Sequence, residues 1–156
     1  MEQYVKIQDL MPGNMIKTYI HGYKPLKYLL SANVLSGNNE LDSMYIIKKS
    51  LINNLTEDLI VSGGHYLMVD KINPSIIVKN PKRYANIKKI DDKECLLASD
   101  SPESSRLIEN KFYTIYHLIL DGENERYCIY VNGGFLSEST SEKTLKKHIN
   151  FFKVIR

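Results

Sequence analysis

The chain has 156 residues, which suits one domain and excludes a large multidomain enzyme but not a fragment of one. Hydrophobic residues make up 43% and charged residues 25%, a balance that excludes disorder over most of the chain. The net charge of +3, from 21 basic and 18 acidic residues, lies in short scattered clusters such as Lys48-Lys49, Lys79 to Arg83, Lys88-Lys89 and Lys146-Lys147, so no nucleic-acid partner is expected.

Most apolar runs are short and bounded by Gly, Pro, Asn or Asp, which is the pattern of an all-β protein. Tyr4 to Ile7 and Met15 to His21 read as strands around the turn Met11-Pro12-Gly13-Asn14, where Pro presets φ and Gly permits a positive one. After a turn at His21 to Pro25, a longer strand runs from Lys27 to Val34. Ser36-Gly37-Asn38-Asn39 breaks it, and Ser43 to Lys49 reads as the next strand. Ile52 to Glu57 is polar connector. Leu59 to Val61 and Tyr66 to Val69 are apolar runs separated by Ser62-Gly63-Gly64-His65. Asn73 to Asn86 holds two prolines and is expected to be loop with at most one short strand. Ile87 to Ile90 and Glu94 to Ala98 are strands joined by Asp91-Asp92, and Ser99 to Ser105 is loop.

Phe112 to Leu120 and Tyr127 to Val131 give the clearest hairpin pattern, with a turn at Asp121 to Glu125. Alternation puts Tyr113, Ile115, His117 and Ile119 on one face of the first strand. Asn132-Gly133-Gly134 forces a second tight turn. Leu145, Ile149 and Phe152 then fall at helical spacing, and Ser139 with Glu142 fits a capping box. One short C-terminal helix is expected, with no internal repeat.

No apolar run approaches the roughly 20 residues needed to cross a bilayer, so no membrane partner is expected. Met1 to Leu10 carries Glu2, Lys6 and Asp9 and reads as neither a signal nor a transit peptide. A cytoplasmic, reducing location follows as an expectation. Cys95 and Cys128 make no disulfide framework and read as buried thiols within strands. The sequon Asn54-Leu55-Thr56 then carries no meaning. No Cys/His spacing supports a zinc site, and no glycine-rich loop followed by Lys-Ser or Lys-Thr supports a nucleotide site. No cofactor is expected.

Ser62 to His65 sets a hydroxyl and an imidazole around two glycines. Paired glycines permit a sharp bend and close approach of another backbone. The wider stretch LIVSGGHYLMVD, Leu59 to Asp70, resembles a block of the Hint domains, the module of hedgehog C-terminal segments and inteins. Ser62 takes the place of that block's Thr and His65 the place of its His. Tyr4 to Tyr23 is similar to the family's strand, turn and strand, with Asn14 where Asp is usual. Tyr116 to Ser139, YHLILDGENERYCIYVNGGFLSES, resembles its late hairpin and its closing NG-x-L-S-E stretch. The likeness is closest to Hint domains of bacterial and large-DNA-virus proteins, and it covers roughly Tyr4 to Ser139.

The resemblance implies a Hint-like fold of curved hairpins over residues 1–140, with residues 141–156 as a helix or tail packed on it. It implies autoprocessing, in which a Cys or Ser attacks the preceding carbonyl and the ester or thioester splits a hard acyl transfer into easier steps. On this reading His65 is the acid/base group, Ser62 orients the scissile peptide, and His117, where many inteins carry Asp, is a second acid/base candidate. The partner is the domain's own upstream polypeptide. No Cys or Ser precedes Tyr4. The chain in isolation is therefore expected to be truncated or inactive. The competing expectation is a catalytically dead Hint scaffold used as a binding or structural module. His21 and His148 read as turn or surface residues.

Overall fold

The structure is a computed structural model describing residues 1–37 and 39–156; Asn38, in the expected break after the long strand, lies outside the described residues. Twelve strands follow in chain order among the described residues: β1 (Met15–Lys17), β2 (Tyr23–Leu35), β3 (Met44–Ile47), β4 (Leu59–Ser62), β5 (Tyr66–Val69), β6 (Lys89–Ile90), β7 (Lys93–Leu97), β8 (Ser104–Arg106), β9 (Phe112–Leu120), β10 (Cys128–Val131), β11 (Phe135–Glu138) and β12 (Lys153–Val154). Two short helices, α1 (Pro74–Lys79) and α2 (Glu142–Lys147), accompany them. The class is all-β, as the short apolar runs imply. No helix of the described residues is long and apolar enough to cross a membrane.

The strands form three antiparallel sheets, ordered β1-β2-β12 with β9 also on β2, β10-β11-β5-β7-β6, and β4-β3-β8. The long ribbon of β2 and β9 is the spine, pairing from Leu26↔Leu120 to Leu35↔Phe112. Leu26, Leu29, Leu118 and Leu120 of the ribbon pack with Tyr127 and Ile129 into one core cluster. Leu30 is fully buried on the opposite face, beside its cross-strand partner His117. The middle of β2 is therefore covered on both sides. Between the five-stranded and three-stranded sheets, Ile47, Leu55, Leu67 and Ala98 make a second cluster.

Four expectations need correction. Tyr4 to Ile7 is not a strand. Tyr4 and Val5 are exposed, and the chain there makes only a short 3-10 turn over Ile7–Asp9. The expected loop Asn73 to Asn86 contains α1, so the described residues hold two α-helices where one helix was expected. Asn73 caps α1 by accepting from the Ser75 N–H, and Pro74 starts it. Tertiary packing completes it, because Ile76 and Ile77 rest on the cluster of Ile72, Tyr84 and Leu96.

The expected hairpin of Phe112 to Leu120 with Tyr127 to Val131 does not pair. β9 pairs with β2, and β10 pairs with β11 across the Asn132-Gly133-Gly134 turn. Residues following β11 insert between the two expected partners. Ser139 N donates to Tyr127 O, and Thr140 N donates to Leu118 O. Finally, Ser141 caps α2, accepting from Thr144 N, while Ser139 is buried and its hydroxyl accepts from Tyr127 N. The helix stops at Lys147, which leaves Ile149 exposed. The residues beyond it add β12 to the β2 edge. By contrast, the Asp91-Asp92 connection holds as expected, with positive φ at both residues, as a two-residue hairpin turn requires.

Candidate functional site

The turn Ser62 to His65 joins β4 to β5. It is held on both sides by backbone: Gly63 N donates to Ser43 O, Gly64 N to Leu41 O, Ala98 N to His65 O and Ser99 N to Gly63 O. Gly63 is needed for space. A Cβ there would stand 2.0 Å from the Glu40 carbonyl oxygen and 2.7 Å from the Tyr45 ring. The close approach read from the paired glycines is thus real at the first of them.

Fixing the turn fixes His65. Its Nε2 shares a 2.5 Å hydrogen bond with the Ser137 hydroxyl. Ser137 is buried on β11, which hydrogen-bonds to β10 on one side and β5 on the other. The His65 ring faces that of His117 at 4.9 Å between centroids. His117 meets the Phe152 ring edge-on at 5.3 Å. His117 Nδ1 is buried without a partner, and so is Ser99 Oγ behind the turn.

One ion pair borders the cluster. Arg126 donates to Glu138 at 2.7 Å and to the Thr144 hydroxyl at 2.7 Å. Both side chains of the ion pair are largely buried. Burial pushes the His65 imidazole down to about 4, with the Arg126 charge adding to it. His117 is pushed down to about 3, first by burial and then by His65, while Glu138 pulls the other way. Both rings are neutral at neutral pH. Charge on His65 opposes charge on His117, so the two rings titrate as a coupled pair.

The structure therefore brings together two of the three predicted site residues, His65 and His117. It does not join Ser62 to them by hydrogen bonding: among the described residues Ser62 Oγ makes no hydrogen bond, and the hydroxyl on His65 belongs to Ser137. Ser137 and Glu138 lie in the closing NG-x-L-S-E stretch, so a signal was present. Arg126 and Phe152 carry no motif of their own and were missed.

The remaining candidates lie elsewhere. Cys95 and Cys128 are buried free thiols, with desolvation raising them to about 11 and about 12. His21 shares a 2.6 Å contact with Asp91, whose other oxygen accepts from Cys128 N, so it ties the turn before β2 to the β6–β7 turn. His148 is exposed at the end of α2. No group of three metal-ligating side chains converges among the described residues. Compared with known proteins, the chain matches no family model, no curated protein and no solved structure.

Proposed function

We propose that the chain is a Hint-like autoprocessing domain, acting on a peptide bond of its own precursor. One observation carries this reading. Two separate stretches that resemble Hint blocks, one holding His65 and the other holding both His117 and Ser137, meet at one buried point of an all-β fold.

The chemistry suits that point. A thiol or hydroxyl of the precursor attacks the preceding carbonyl carbon and gives its proton to neutral His65. The new S–C or O–C bond forms as the C–N bond breaks, and the proton passes to the departing amine. Amide nitrogen is a poor leaving group until protonated, so a strong acid is needed at that moment. An imidazolium with a pKa near 4 is a stronger acid than an ordinary one, and burial provides it. Ser137 holds His65 Nε2 and fixes the ring.

The test places a reporter ahead of the domain in its full reading frame and follows cleavage at neutral pH with a thiol present. Wild type should release the reporter, and His65→Ala should not. If both give the same uncleaved band, the autoprocessing reading fails. A second reading, a scaffold without catalysis, is favoured by the Phe152 ring lying against His117.

A further inference from the structure

Residues 151–156 run along the outer edge of β2 and end beside the chain's beginning. Lys153 pairs with Ser31 and Val154 with Leu30. Ile155 N donates to Leu29 O, Leu29 N donates to Arg156 O, and the Arg156 guanidinium donates to Gln8 O at 2.6 Å. Phe151, Val154 and Ile155 remain 46%, 50% and 43% exposed. The strand is thus held mainly by backbone hydrogen bonds. Phe152 alone of these six is turned inward, onto His117.

We propose that residues 151–156 form a displaceable strap over the histidine pair, and that the β2 edge beneath it docks an extended strand of the polypeptide on which the site acts. The inference rests on the autoprocessing reading for the identity of that strand. Two independent features point to it. Backbone pairing along a sheet edge is tolerant of sequence, so one extended segment can replace another. The phenyl ring of Phe152 cannot satisfy the buried Nδ1 of His117, whereas a peptide group at the same place can. The strap therefore covers His117 without completing its hydrogen bonds.

Histidine reactivity tests the strap without requiring cleavage. Carbethoxylation by diethyl pyrocarbonate is mapped residue by residue in wild type, in a chain ending at Asn150, and in full-length Ile155→Pro and Phe152→Ala. Ile155→Pro removes the N–H given to Leu29, and the two full-length variants carry the test if the shortened chain does not fold. Modification of His117 should rise about tenfold or more when the strap is loosened, as expected for a locally opened segment. A synthetic peptide of residues 151–156 should bind the shortened chain and restore protection. Rates within about twofold of wild type in folded Ile155→Pro would overturn the strap, because local opening would not be governing access. Failure of the peptide to protect folded shortened chain would overturn the docking edge. Reporter cleavage separates the two readings: a strap that opens with no cleavage leaves the strap standing and removes the autoprocessing. Cleavage at one rate with and without Ile155→Pro removes the strap from the reaction.

Discussion

His65 and His117 face each other at 4.9 Å, one from a turn pinned by backbone bonds and the other from the middle of the longest ribbon. Burial depresses the capacity of both to hold a proton, and His65 depresses that of His117 further. The native state therefore binds fewer protons here than the unfolded chain. An unfolded histidine titrates near 6.5, against about 4 for His65 and about 3 for His117 in the fold. The stability linked to these rings is whole above pH 6.5 and is lost as pH falls through the folded values. For His65 alone the loss amounts to about 3 kcal/mol. Urea midpoints taken from pH 8 down to pH 4 should fall more steeply in wild type than in His65→Gln. Parallel profiles would remove the buried pair as the cause.

His117→Phe isolates the second ring. The substitution removes a buried nitrogen that has no partner and leaves an aromatic ring against Phe152. An unsatisfied buried polar atom costs about 1–3 kcal/mol, so the variant should be at least as stable as wild type at pH 7. Its dependence on pH below 6 should also weaken. A large loss of stability at pH 7 would mean that Nδ1 has a partner in solution.

The class and most strands were legible in the sequence because Gly, Asn, Asp and Pro bound each run, as at Asn132-Gly133-Gly134. Pairing was not legible. β9 and β10 look like neighbours in sequence, but Ser139 and Thr140 come between them, and β2 offers β9 a longer partner. α1 was hidden because its six residues gain their hold from Ile72 and Tyr84, outside the helix. At the site, His65 and His117 were legible through motif and strand face. Ser137 was not singled out, because choosing between two serines for one imidazole depends on how β11 lies beside β5.

Gly63 and Gly64 should respond differently to alanine. At Gly63 the added methyl would collide with the Glu40 carbonyl and the Tyr45 ring. At Gly64 the nearest atom is 3.5 Å away, an ordinary contact. Gly63→Ala should cost about 3 kcal/mol, the upper end of the range for overpacking, while Gly64→Ala should stay within about 1 kcal/mol. Thermal melts of the two variants decide it, and equal melting temperatures would refute the close approach.

The ion pair of Arg126 and Glu138 makes the last prediction, because it joins stability to the site's charge. Arg126→Met leaves a buried carboxylate without its partner, a change that costs about 3–5 kcal/mol. Replacing both residues, Arg126→Met with Glu138→Leu, removes both charges and should recover most of that loss, since a buried pair contributes little net stability. The single variant has a second consequence. Arg126 opposes protons on both imidazoles, while Glu138 favours one on His117. With the arginine gone, both rings should protonate at higher pH than in wild type. Histidine ring resonances followed by NMR against pH would report this directly. Unmoved titrations, in a variant shown to be folded, would place the guanidinium outside the electrostatics of the site.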